Sequence, residues 1–280
     1  MLAKAVAQAT PKSFEITFLD LPEFDVTDRS QVLSVADSVR PNIIINCAAF
    51  TQVDRCETEP ALANRVNGEA VGFLAEAARA VDAILVHIST DYVFAGDQTT
   101  PYREDDPPAP QSAYGSSKLL GEQVLLTSGL EKFFIVRTSW LYGPGGNNFV
   151  ETIMRLAKER ENLRIVADQV GSPTYTGDLA EAIFNLVTSN GHPYGIYHFA
   201  NEGECSWYDF ALEIVGQARN SGERIVTQRI QPISTEDYPL PAKRPAYSVL
   251  STTKYRQATG ARVPEWRKSL RTYFENRDIY

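Results

Sequence analysis

Histidine and cysteine are scarce in this 280-residue chain, with three of each. Cys47, Cys56 and Cys205 lie far apart and form no C-x-x-C pair. That spacing argues against a disulfide framework or a zinc site and points to a reducing cytoplasm. His87, His192 and His198 have no metal-ligand spacing. His87 and His198 fall inside apolar, strand-like runs and read as satisfied core residues. Long apolar runs are missing, so no segment reads as a membrane span or a signal-like h-region. Internal repeats and low-complexity tracts are missing too. Positive charge is in deficit: the net charge is −8 and the isoelectric point is near 5.1. This argues against general nucleic-acid binding. It leaves an anionic substrate open, because local arginines decide that.

What is present is ample material for a core: 43% of residues are apolar and 22% charged. Strand candidates recur at Phe14–Leu19, Asn42–Asn46, Ala83–Ser89, Phe133–Val136 and Ile196–Ala200. Helical patterns lie between and around them, at Asp28–Val39, Leu62–Ala80, Ser112–Ser128, Phe149–Glu159 and Gly177–Ser189. This alternation predicts an α/β fold with a Rossmann-like, doubly wound parallel sheet. After about residue 200, Pro232, Pro239, Pro241, Pro245 and Pro264 break up the chain that follows a helix candidate at Trp207–Arg219. A smaller, irregular C-terminal lobe is therefore expected to shape a pocket. Residues 1–145, with a returning segment at about 176–200, form the expected dinucleotide-binding domain. Residues 146–175 and 201–280 form the expected substrate lobe.

The most informative pattern is Tyr114-x-x-x-Lys118, read with Thr90. Four residues apart on a helix, the two side chains share one face. An ammonium beneath a phenol stabilises the phenolate, so the tyrosine exchanges a proton more readily near neutral pH. Thr90 ends the apolar run Ala83–Ser89, which reads as a buried parallel strand. The carboxyl end of such a strand borders the crevice where open α/β sheets bind ligands. Hydroxyl, phenol and ammonium make a device for moving a proton at a carbinol or ketone oxygen, and a nicotinamide would supply the accompanying hydride. Gly115, Ser116 and Ser117 are poor helix formers, but their small size would let a flat cofactor approach.

Other segments extend the site. Asp20, at the tip of the first strand candidate, would hydrogen-bond an adenosine ribose and disfavour a 2′-phosphate. Asp25 and Val26 would border the adenine. Asn46-Cys47-Ala48-Ala49-Phe50-Thr51 leaves a buried strand with small residues that give a cofactor room. Asn67 would hold a helix backbone or a water near the lysine, or simply face solvent. Ser89-Thr90-Asp91-Tyr92-Val93-Phe94 gathers two hydroxyls, an acid and aromatics at one strand end. Arg137-Thr138-Ser139-Trp140 repeats this layout, and Trp140 either flanks a sugar ring or packs in the core. Asn147-Asn148 opens a helix. Lys243 and Arg244 sit on a stiff proline-bounded loop that suits a diphosphate.

Together these segments resemble the dTDP-4-dehydrorhamnose reductases of the extended short-chain dehydrogenase/reductase superfamily. The resemblance rests on Asn46–Ala49, Ser89–Phe94, Tyr114-Gly115-x-x-Lys118 and Arg137-Thr138-x-Trp140. It extends to Gly146–Phe149, Asp168-Gln169-x-Gly171-x-Pro173, Trp207–Phe210 and Pro241–Pro245. It implies Thr90, Tyr114 and Lys118 as catalytic groups, with Tyr114 the proton donor. It implies Asp20, Asp25, Val26, Ala49, Phe50, Thr51, Tyr114 and Lys118 around NADH or NADPH. Thr90, Asp91, Trp140, Asn148 and Arg244 would contact the dTDP-sugar. No residue is assigned to a metal, although the family suggests a magnesium between the subunits of a homodimer. The family also begins with a strand and a glycine-rich turn. Met1–Lys4 resembles the end of that turn, so the chain is expected to start late and to bind the cofactor's pyrophosphate poorly. The expected activity is reduction of dTDP-4-dehydro-L-rhamnose for surface polysaccharide. The alternatives are a non-catalytic, cofactor-binding regulatory subunit, or another sugar-nucleotide epimerase or reductase of this fold.

Overall fold

The structure is a computed structural model that describes residues 1–189 and 191–277. Its first part runs α1 (Leu2–Ala9), α2 (Arg29–Val39), β1 (Ile43–Asn46), α3 (Val53–Thr58), α4 (Pro60–Asn64), a π-turn at Arg65–Glu69, and α5 (Ala70–Ala80). Then come β2 (Ile84–Thr90), α6 (Ala113–Leu126) and β3 (Phe133–Thr138). The next segment holds β4 (Leu141–Tyr142), α7 (Phe149–Glu159), β5 (Asn162–Val166), β6 (Val170–Gly171), β7 (Thr174–Tyr175) and α8 (Thr176–Thr188). The chain then continues through β8 (Gly195–His198), β9 (Cys205–Ser206), α9 (Trp207–Asn220), β10 (Arg229–Ile233), α10 (Thr253–Thr259) and α11 (Trp266–Asn276).

The main sheet has the order β1-β2-β3-β8, and every pairing in it is parallel. Side-chain alternation on β2 sends Leu85 to one face and Val86 to the other. Leu85 packs with Val32, Val71, Leu74 and Leu125, from α2, α5 and α6. Val86 packs with Leu2, Val6, Leu179 and Ile183, from α1 and α8. Helices thus cover both faces, as the strand-helix alternation predicts. A further apolar core joins α7, α9 and α11 through Ile153, Phe210, Ile214, Trp266 and Leu270.

One strand expectation fails. Phe14–Leu19 alternates like a strand but belongs to no sheet. Ile16, Phe18, Leu19 and Leu21 are exposed. A strand exists only with a partner ladder, and the backbone bonds here are local, such as Phe14 N–H to Pro11 O and Phe24 N–H to Asp20 O. The proline argument also needs refining. Pro232 lies within β10, which pairs in parallel with β5. In a two-stranded sheet both strands are edges, where a missing N–H is tolerated.

The outer edge of β8 is closed by side chains. His198 N–H donates to Glu104 Oε1 at 3.0 Å, and Lys254 Nζ donates to Ile196 O at 2.7 Å. Charged groups at an edge block the addition of another strand.

Candidate active site

β2 delivers Thr90 to the carboxyl end of the sheet, where a 3-10 turn, Asp91–Val93, follows at once. The Thr90 hydroxyl donates to Asp91 Oδ1 at 3.0 Å and accepts from Tyr92 N–H at 3.2 Å. Ser112 is the N-cap of α6, and its hydroxyl accepts from Gly115 N–H. This cap sets the first turn so that Tyr114 meets the strand end. The Thr90 hydroxyl neighbours the Tyr114 phenol and acts to lower its pKa, and the Tyr92 ring stands edge-on to Tyr114 at 5.6 Å. Burial pushes the Tyr114 phenol well above its usual range, against the pull of the Thr90 hydroxyl. The phenol therefore keeps its proton near neutral pH.

Lys118 follows one turn later and is 2% exposed. Its ammonium donates to Ile88 O at 2.6 Å. Spacing predicts an ammonium set against the phenol, but the observed partner is the strand carbonyl, and Thr90 is the group that lowers the Tyr114 pKa. Burial brings Lys118 down to about 8, while Glu122 and Cys47 act to raise it.

The small residues of α6 do a different job from the one their size suggests. A Cβ on Gly115 would lie 2.2 Å from Tyr92 O, and one on Gly121 would lie 2.2 Å from Asn67 O. The space is filled by protein backbone, which brings α6 close to the strand-end loop and to the π-turn. Ser117 is buried and donates to Tyr114 O at 2.8 Å. Asn67 is buried, not solvent-facing. Its amide spans Phe50 N–H (2.8 Å), Phe50 O (3.0 Å) and Ser117 Oγ (2.9 Å). The loop carrying Ala49, Phe50 and Thr51 is thereby tied to α6. Asn46 tightens the same loop, with its Oδ1 accepting from Ala48 N–H at 3.1 Å.

Asp91 is 2% exposed. Burial raises its carboxyl to about 6 from 3.8, against hydrogen bonds from Ser248 and Thr90. Above pH 6 the folded chain holds a buried carboxylate, whereas the unfolded chain holds a solvated one. Stability therefore falls as the pH rises from about 4 to about 6, and below about 4 both states keep the proton. Asp91→Asn should stabilise the fold at pH 8 by up to about 3 kcal/mol, at ~1.4 kcal/mol per pKa unit. The gain should fade at pH 4. Urea melts at both pH values test this, and an equal gain at the two would refute the electrostatic cause.

The other expected residues lie around this centre. Trp140 has a left-handed backbone, φ 44°, and stacks on Trp207 with ring centroids 3.4 Å apart and planes 7° apart. Arg244 is held by a fork of bonds to Asp54, at 2.5 and 2.7 Å. Asp54 also accepts from Ala242 N–H, so the Pro241–Pro245 loop is strapped to α3. The arginine that the sequence offers to a diphosphate is thus engaged by a carboxylate of α3. Asn148 is spent locally: it caps α7 through Glu151 N–H and donates to Gly143 O and Gly146 O. Asp20, Asp25 and Val26 precede α2 and make no bond to the Thr90 cluster. Asp20 Oδ1 accepts from Leu21 N–H, and Asp25 Oδ1 accepts from Thr27. Val26 packs beside the α2–α5 core.

Sequence reading missed Asp54 and Ser248. Both sit far along the chain from their partners, with no local motif to mark them. His198 is satisfied as expected: its Nδ1 donates to Tyr102 O and its Nε2 accepts from Arg137. His87 is only half satisfied. Its Nδ1 accepts from Asn46, and its Nε2 has no hydrogen-bond partner among the described residues. Among the described residues no group of three His, Cys, Asp or Glu could hold a metal ion, and no helix is long and apolar enough to cross a membrane.

Comparison with known proteins decides the family. The model described as RmlD substrate binding domain matches residues 1–279. A dTDP-4-dehydrorhamnose reductase of Aggregatibacter actinomycetemcomitans is 44% identical over 262 residues, covering 92% of this chain and 89% of that protein. The chain belongs to the dTDP-4-dehydrorhamnose reductase family. Another similar protein, 44% identical over 270 residues (96% of this chain, 92% of that protein), is the spore coat polysaccharide biosynthesis protein SpsK of Bacillus subtilis. A crystal structure of a dTDP-4-dehydrorhamnose reductase from Bacillus anthracis, in complex with NADP, superposes with a TM-score of 0.92. It is 42% identical, and the match covers 98% of this chain and 95% of that one. Within the reductase family the doubly wound sheet described above is therefore the shared framework.

Proposed function

We propose that this chain reduces the 4-keto group of dTDP-4-dehydro-L-rhamnose to give dTDP-L-rhamnose, using NADPH or NADH. The product would supply surface polysaccharide synthesis. The observation that carries this reading is the meeting of the Thr90 hydroxyl and the Tyr114 phenol at the end of β2, with a buried lysine one turn along α6. Family membership at 44% identity supplies the substrate class. The cysteine pattern supports a cytoplasmic setting.

The residues present fit a nicotinamide cofactor. An ammonium has three N–H donors, and the Ile88 carbonyl takes one, so Lys118 has donors for ribose hydroxyls. The Ala49–Thr51 loop, fixed by Asn67, offers a rigid backbone wall beside them. Asp20, Asp25 and Val26 belong to the adenosine end in this reading. When bound, the nicotinamide supplies a hydride to C4.

Tyr114 supplies the matching proton to O4. Its raised pKa keeps that proton in place until negative charge grows on the substrate oxygen. Thr90 then turns its one hydroxyl hydrogen from Asp91 to the phenolate left behind. Lys118 adds positive charge one turn away, which favours loss of the proton in the transition state. Asp91 and Trp140 flank the sugar. The lobe of residues 146–175 and 201–280 receives the nucleotide, and Arg244 turns to the diphosphate by exchanging one anionic partner, Asp54, for another.

The test is NADPH consumption with dTDP-4-dehydro-L-rhamnose, with the product identified by mass and sugar stereochemistry. Stoichiometric formation of dTDP-L-rhamnose is expected. Absence of turnover in protein that binds the dTDP-sugar would refute the reading.

A further inference from the structure

α6 carries a further ionised group whose partners come from both central strands. Glu122 lies one turn beyond Lys118, and its side chain is 1% exposed. Arg137 of β3, 2% exposed, donates Nε to Oε1 at 2.9 Å and Nη2 to Oε2 at 2.7 Å. Ser89 of β2 donates its hydroxyl to Oε1 at 2.5 Å. Ser89 and Arg137 are register partners, and Thr90 is the next residue on β2. The carboxylate therefore bolts the helix that carries Tyr114 and Lys118 to the strand that carries Thr90. The bolt is two-point and charged, which fixes orientation as well as distance.

Its charge matters as much as its grip. Lys118 is buried with a neutral carbonyl as its bond partner, and an unpaired ammonium in such a place tends to lose its proton. Tyr114 and Glu122 share its helix. Cys47 faces it from the end of β1 and His87 from β2, with Arg137 of β3 behind Glu122. Burial pushes the Cys47 thiol up to about 12 and the Tyr114 phenol higher still, so both are neutral near pH 7. Burial and Lys118 itself keep His87 neutral. Of these groups Glu122 is the one held as an anion, by its ion pair with the Arg137 guanidinium.

We propose that Glu122 is a positioning residue for the proton-handling groups: gripped by Arg137 and Ser89, it sets α6 against the end of β2 and keeps Lys118 charged. The reductase reading is assumed for the part of the test that uses turnover. The double variant Glu122→Gln with Arg137→Met leaves no buried charge facing a lost partner. Its kcat should fall away at a lower pH than in the parent, with the alkaline midpoint moved down by about one to two units. Glu122→Asp, which restores the charge on a shorter stem, should return part of the shift. Titration of the ¹³Cε resonance of Lys118, assigned by its loss in Lys118→Arg, should show the same displacement without substrate or cofactor. That second readout holds even if the chain reduces some other ketone. An unmoved Lys118 titration in folded double variant overturns the proposal. So does a loss of kcat by one constant factor across the whole pH range, which is what a purely structural role gives. Should the double variant not fold, Glu122→Asp decides alone: a Lys118 midpoint between the parent's and one unit below supports the proposal, and an identical midpoint overturns it.

Discussion

Tyr114→Phe is expected to lower turnover about 10²–10⁴-fold, the range for removing a positioned general acid. Fold and cofactor affinity should survive, because the ring keeps its edge-on contact with Tyr92. Only the hydroxyl that neighbours Thr90 is lost. The proton must then come from water, which is neither held at the ketone oxygen nor pre-aligned with Thr90. Thr90→Val should lose less, since a water molecule held at that point replaces one hydroxyl while Tyr114 remains. The measurement is kcat for dTDP-4-dehydro-L-rhamnose with melting temperature and NADPH affinity taken on the same samples. Turnover by Tyr114→Phe at the parent rate would remove Tyr114 from the mechanism.

The largest stability effect is expected at Arg137. Its guanidinium holds Glu122, reaches His198 Nε2 at 3.4 Å, and lies over the Phe94 ring at 5.0 Å. Arg137→Met keeps much of the volume and leaves the Glu122 carboxylate buried without its counter-charge. Breaking a buried pair from one side costs about 3–5 kcal/mol, whereas replacing both partners by apolar groups is often close to neutral. Arg137→Met should therefore unfold at clearly lower urea than the parent. Glu122→Met combined with Arg137→Met should recover most of the loss. If the single and double variants melt together, the pair is not the source of the effect.

The parallel sheet was legible because its strands are buried on both sides and read as unbroken apolar runs. Asn42–Asn46, Ala83–Ser89 and Phe133–Val136 each lie within two residues of an observed strand. Phe14–Leu19 misled because a strand pattern records what a segment is able to pair with, not whether a partner is there. The two-residue strands β4, β6, β7 and β9 are too short for any periodicity to mark them. That Thr90, Tyr114 and Lys118 lie close together was legible because one strand end and one helical turn carry all three. The partners of those residues were harder to read. Helical spacing places Lys118 under Tyr114, yet the long lysine side chain chooses the Ile88 carbonyl. Arg244 read as a free cation because Asp54 lies 190 residues away in sequence. Such pairings depend on tertiary contact, which local pattern does not encode.

The Trp140–Trp207 stack carries a consequence for how this protein is studied. Two of the chain's three tryptophans lie nearly parallel at 3.4 Å. At that distance their ultraviolet transitions couple, so the pair gives a split circular-dichroism band that an isolated indole lacks. Trp140 leaves the end of β3, while Trp207 opens α9. The band therefore works as a built-in optical gauge of the joint between the parallel sheet and the C-terminal core, readable in unlabelled protein during a titration.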